Sequence, residues 1–156
     1  MADLLWPILV TFATSLIPGL ELRAGIPAGL ALGLPTTTAV AVAVAGNVLQ
    51  IPLVLLVLNW AYRHGARFPL VDRWLRKTEA QVERHRPLIR RLGWIGVTIF
   101  VLLPLPATGV WGGGVLARLL QLTGGGLWFG LSLGIALSGL LMGAAAQGAI
   151  SVWRLI

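Results

Sequence analysis

The sequence predicts an all-α integral membrane protein. It reads as two inverted repeats, each a re-entrant helical hairpin followed by a spanning helix, joined by a basic amphipathic cytoplasmic linker. Three observations predict this. Of 156 residues, 57% are apolar and only 11% are Asp, Glu, Lys or Arg, against roughly 25% charged in a soluble domain, and mean hydropathy is +0.88. Two uncharged segments are long enough to cross a bilayer. Four shorter apolar segments form two pairs, each joined at a break rich in proline and glycine. This composition excludes a disordered chain, which needs low hydrophobicity and high charge, and leaves too few polar side chains to cover a water-facing surface.

The first repeat, residues 1–60, opens with Leu4–Ile17 and Ala24–Leu34. At 1.5 Å per residue these reach roughly 21 and 16 Å, short of a hydrocarbon core of about 30 Å. Between them lies Ile17-Pro-Gly-Leu-Glu-Leu-Arg-Ala-Gly-Ile-Pro27. Proline removes a backbone donor and biases its predecessor away from the helix, and glycine permits turns. Two half-length helices joined this way make a hairpin that dips into the membrane and returns; two tightly joined full spans are the alternative. Ala39–Leu58, 20 uncharged residues, then crosses. Met1-Ala-Asp-Leu lacks the basic region of a secretory signal, so the first segment is expected to be retained.

The linker, residues 61–91, holds nine of the twelve basic residues together with Asp72, Glu79 and Glu83. Charge confined between apolar spans points to a cytoplasmic loop beside anionic headgroups rather than to nucleic acid. Val71, Trp74, Leu75, Thr78 and Val82 follow helical spacing, which predicts a helix lying on the cytoplasmic leaflet. The second repeat, residues 92–156, has the same order. Leu92–Leu103 and Val110–Leu122, roughly 18 and 20 Å long, meet at Leu103-Pro-Leu-Pro-Ala-Thr-Gly-Val-Trp-Gly-Gly-Gly114, and the 24 residues of Leu127–Ile150 cross back. Pro18 and Pro104 occupy matching places. Five tryptophans (Trp6, Trp60, Trp94, Trp128 and Trp153) fall near the ends of apolar segments, where interfacial belts lie. With the linker inside, both termini are expected outside, and Arg154 is the exception to the positive-inside pattern. The whole is one domain of the inner (cytoplasmic) membrane.

Outside the linker and termini the ionisable residues are Glu21, Arg23 and Arg118. An ionisable group at depth costs several kcal/mol unless paired or hydrated, and so marks a pathway. In an extended stretch, residues two apart point to one side, so Glu21 and Arg23, after Pro18-Gly19, are expected to share a polar cavity at mid-membrane. The alternative places them at the outer headgroups. Arg23 would attract an anion, helped by the returning half-helix starts near Ala24 and Val110. Glu21, pulled opposite ways by burial and by Arg23, could carry protons. Pro27 closes the first break. At the second, Pro104, Pro106, Thr108, Gly109 and Trp111 offer a hydroxyl and close backbone approach. Asn47 and Gln50 read as hydrogen-bond partners between helices, and Arg118 as a residue snorkelling toward the cytoplasmic face. Gly130, Gly134 and Ser138 form one small-residue ridge, Gly139 and Gly143 another, fit for contact within the chain or for a homodimer seam.

No cofactor or metal is expected: there is no cysteine, and both histidines, His64 and His85, lie in the linker. One buried carboxylate does not make a two-carboxylate site, so the chain does not read as an enzyme.

Glu21-Leu-Arg-Ala-Gly-Ile-Pro27 and Pro104-Leu-Pro-Ala-Thr-Gly-Val-Trp111 resemble the paired motifs of the small multidrug export family, as do Gly46-Asn47 and Leu92-Gly-Trp-Ile-Gly96. That family is distantly similar to the DedA-type membrane proteins, which have two re-entrant hairpins. The family name implies drug export, whereas DedA-type relatives recycle undecaprenyl phosphate or scramble phospholipids. The resemblance implies that Glu21 and Arg23 act in the first hairpin, and Pro104, Pro106, Thr108, Gly109 and Trp111 in the second. The resulting expectation is a small transporter, homodimeric, moving an amphiphilic lipid-phosphate-like substrate among membrane lipids, with protons as coupling ion. A proton-driven exporter of lipophilic cations and a non-transporting scaffold are the alternatives.

Overall fold

A computed structural model describes residues 2–83, 92–103 and 108–153. They form seven α-helices: α1 (Ala2–Ser15), α2 (Glu21–Ala31), α3 (Thr36–His64), α4 (Pro69–Glu83), α5 (Trp94–Leu102), α6 (Val110–Leu119) and α7 (Gly125–Trp153). A 3₁₀ turn, Gly65–Arg67, precedes α4, and the described residues contain no strand. Arg84, His85, Arg86, Arg90, Arg91 and Arg154 lie outside the described residues.

α3 and α7 have 29 residues each, roughly 44 Å, and both are long and apolar enough to cross a membrane. The remaining membrane-type helices are short: 14 residues in α1, 11 in α2, 9 in α5 and 10 in α6. α3 extends the predicted Ala39–Leu58 span at both ends. The Ala39 amide donates to Pro35 O at 2.9 Å, so Thr36–Thr38 form the first turn. Polar residues at the other end continue the helix, because a helix need not stop where hydrocarbon does. α2 and α6 begin at residues 21 and 110, and α3 and α7 cover 36–64 and 125–153, a common offset of 89 residues.

The chain divides into two compact units, residues 1–48 with 136–156, and residues 49–135. In the first unit α2 folds back along α1 with almost no gap. A Cβ on Gly25 would collide with Ser15 Oγ, and one on Gly29 would lie 2.5 Å from Thr11 Oγ1. On α3, a Cβ on Gly46 would sit 3.2 Å from Phe12 O. Thr11 and Ser15, fully buried, donate to Pro7 O and Thr11 O, both at 2.7 Å. Each hydroxyl is thus satisfied inside its own helix, as burial demands. Asn47 is buried too, while Leu4, Leu5, Trp6 and Leu9 of α1 and Leu140 and Leu141 of α7 are exposed. Polar groups inside and large apolar groups outside invert the soluble pattern. This fits a membrane protein.

In the second unit the hairpin of α5 and α6 packs on α3 residues Val54 and Leu58, which crowd Gly114, and on Leu131 of α7, which crowds Gly113. Thr98 Oγ1 lies 3.0 Å from Gly130 O and 3.1 Å from Trp94 O. Leu49, Leu53, Leu56 and Trp60 of α3 face outward.

Two of the expected faces make contacts within the chain. α4 is a helix with the predicted stripe, but Leu75, Thr78 and Val82 are buried in the protein, and Trp74 packs edge-on to Trp111, ring centroids 5.8 Å apart. Protein therefore covers the Leu75, Thr78 and Val82 part of its apolar face, while Trp74 keeps 38% and Leu70 83% of their surface exposed. The glycine ridges of α7 are likewise occupied within the chain. Gly130 and Gly134 abut Trp94 and Thr98 backbone oxygens, and Gly139 and Gly143 abut Val44 and Val40. Both ridges thus make contact within the chain, the first of the two uses expected of them.

Candidate functional site

The first hairpin turns at residues 16–20, where Ile17, Pro18, Gly19 and Leu20 are exposed and Gly19 has φ +83°. Amides of Leu20 and Glu21 both donate to Ile17 O at 3.1 Å, closing the turn so that α2 starts at Glu21. The sequence pattern starts this helix at Ala24 and puts Glu21 and Arg23 on an extended stretch. The hydrogen bonds decide otherwise, and the two side chains leave a helical first turn at different angles. They still feel each other, since Glu21 exerts a Coulombic effect on Arg23.

Glu21 combines two costly features. Its side chain is buried, with the residue only 4% exposed, and its backbone lies at φ +51°. An L-residue in that left-handed region gives up about 1–2 kcal/mol, and glutamate is not among the residues that adopt it readily. Strain of this kind is held by its surroundings and concentrates at functional sites. The carboxylate stands in the first turn of α2, where helix amide dipoles favour negative charge. Arg23 is half-buried and Pro27, inside α2, is exposed. The buried hydroxyls of Ser15 and Thr11 on α1 face Gly25 and Gly29, further along α2. Sequence reasoning passed over both, although polar residues four apart on an apolar helix were the available signal.

Asn47, on α3, is 1% exposed, and its Oδ1 has no hydrogen-bond partner among the described residues. Gln50 is fully buried and belongs to the second unit. In that unit, Thr108 and Gly109 are buried at the second turn, and the Thr108 hydroxyl donates to Leu103 O. Trp111 follows in the first turn of α6, its Nε1 buried and unpartnered among the described residues. Pro104 and Pro106 lie outside the described residues. Arg118 stands in the last turn of α6, with its guanidinium 4.5 Å above the Tyr62 ring. The Tyr62 hydroxyl donates to Glu79 Oε1 at 2.7 Å, a contact spanning α3 and α4 that spacing along the chain does not reveal.

Chemically, the first turn offers a buried acid beside a cation at a helix start. That arrangement can exchange a proton and attract an anionic group. The second offers a hydroxyl and an indole N–H as neutral polar groups. No group of three or more metal-ligating side chains occurs among the described residues.

A family model described as "Putative small multi-drug export protein" matches residues 21–141, a range that begins at Glu21. No curated protein and no solved structure matches the chain.

Proposed function

The chain belongs to the small multi-drug export protein family, and from that premise we propose that it is a membrane transporter whose α1–α2 and α5–α6 hairpins are re-entrant. The observation that carries this reading is Glu21, a buried and conformationally strained acid next to Arg23, at the elbow of a hairpin too short to span. Arms of roughly 21 and 17 Å do not cross a core of about 30 Å. The elbow is also apolar and exposed at Ile17 and Leu20, whereas turns in water favour polar residues. The common 89-residue offset supports an inverted repeat, a recurrent construction for transporters with broken helices.

In the proposed mechanism the substrate is an amphiphile with a lipid-phosphate-like headgroup. Arg23 contacts the anion, helped by the amide dipoles at the start of α2. Glu21 takes up a proton as the headgroup leaves and releases it when the next arrives. The protein works in the inner membrane with residues 61–91 cytoplasmic, without a cofactor and with no covalent chemistry. A homodimer would use surfaces other than the glycine ridges of α7. A second reading is the export of lipophilic cations with protons. It is favoured by the family description and by Glu21 being more deeply buried than Arg23.

Substrate sign separates the two. In vesicles carrying the purified protein, polyprenyl phosphate is expected to compete with transport of a fluorescent lipid phosphate, and tetraphenylphosphonium to leave it unchanged. Competition by the cation alone would replace the first reading with the second.

A further inference from the structure

The second unit holds a cleft of about 510 Å³, within the size range of ligand sites. Its polar side is made by Asn59 near the end of α3, Arg118 in the last turn of α6, and Gln121 and Thr123 in the connection to α7; Leu58 and Leu127 line it as well. Both leucines are buried, so they form an apolar floor. We propose that this cleft seats the headgroup of an anionic phospholipid, with Arg118 as the anion contact. The proposal does not rest on the transport reading.

Four features carry it. Arg118 is the cleft's one charged side chain and makes no ion pair among the described residues, so an anion is the chemistry that complements it. Its planar guanidinium is held over the Tyr62 ring, and Tyr62 is fixed by Glu79. The donor fork is thereby pre-organised for the two-point contact that arginine makes with phosphate oxygens. Gln121 stands at φ +57°, a left-handed conformation that costs an L-residue roughly 1–2 kcal/mol, and adds its amide to the cleft lining. Finally, the lining residues Asn59 and Leu127 are each followed by an exposed tryptophan, Trp60 and Trp128. Exposed tryptophans at helix ends sit at the headgroup level of a bilayer, the depth where a lipid phosphate is found. The leucine floor suits acyl or glycerol carbons, which free phosphate lacks. Basic pockets between membrane helices bind headgroups in this manner.

The test is native mass spectrometry of the full-length protein in detergent, incubated with equal amounts of phosphatidylglycerol and phosphatidylcholine of matched chains. The wild type is expected to retain phosphatidylglycerol preferentially. Arg118→Ala should lower that retention about tenfold, the scale of one charged hydrogen-bonding contact, and Arg118→Lys should fall between. Arg73→Ala, at an exposed linker position, should match the wild type. Asn59→Leu gives an independent probe that keeps the arginine, and a severalfold loss is expected there too. Unchanged phosphatidylglycerol retention in folded Arg118→Ala and Asn59→Leu would overturn the proposal, as would equal retention of both lipids by the wild type. Full displacement of phosphatidylglycerol by millimolar inorganic phosphate would make this a free-anion site and overturn the lipid assignment.

Discussion

Glu21→Gln is expected to cut transport by the reconstituted protein about a hundredfold or more, the scale on which losing a positioned proton-transfer group is felt. Glutamine reproduces the shape and one acceptor oxygen of the carboxylate, so neither the burial of residue 21 nor its positive φ should change. Only the exchangeable proton and the charge are removed. Arg23→Ala should act differently, raising the concentration of anionic substrate needed for half-maximal transport, because the fixed cation is lost while the proton carrier stays. Uptake measurements across vesicles containing each variant, over a range of substrate concentration, separate the two effects. Wild-type behaviour in both variants would remove Glu21 and Arg23 from the pathway.

The second large effect concerns how the hairpin is held. Gly25→Val should destabilise the protein by about 3 kcal/mol or more, at the upper end for overpacking a tight interface. A side chain there meets Ser15 Oγ, and at 3.0 Å the backbone oxygen of Thr11, which cannot rotate away. α2 would have to separate from α1, exposing the hydroxyls of Thr11 and Ser15 and moving Glu21. Gly148→Val is the matched control: nothing lies within 4 Å of a Cβ at Gly148. The seven tryptophans provide the signal for thermal unfolding in detergent, where the Gly25 variant should melt well below the wild type and the Gly148 variant close to it.

α3 and α7 were legible because twenty or more uncharged residues in a row have few other uses, and α4 because Val71, Trp74, Leu75, Thr78 and Val82 keep helical spacing. What packs against Leu75, Thr78 and Val82 is not legible. An apolar stripe fits lipid and protein equally, and the partner ring of Trp74 belongs to Trp111, far along the chain. The start of α2 was misplaced because the apolar run begins at Ala24, although an acid in a helix's first turn is itself a start signal. The left-handed backbone of Glu21 could not be anticipated. Glycine and asparagine are the residues that advertise that conformation, and here it is imposed by the turn over Ile17. Likewise, the glycines of α7 mark close approach without naming what approaches; Val40, Val44, Trp94 and Thr98 do so from distant segments.

Membrane depth at the first elbow is the most direct measurement. The chain has no cysteine, so Leu20→Cys, at an exposed turn position, carries the sole attachment point for a nitroxide label. Power-saturation electron paramagnetic resonance in lipid vesicles then reports its depth. A re-entrant hairpin puts the label more than about 10 Å below the headgroup phosphates, given a hydrocarbon core of about 30 Å and an α1 arm of roughly 21 Å. A label at the headgroup level would contradict the re-entrant hairpin and the pathway built on Glu21 and Arg23.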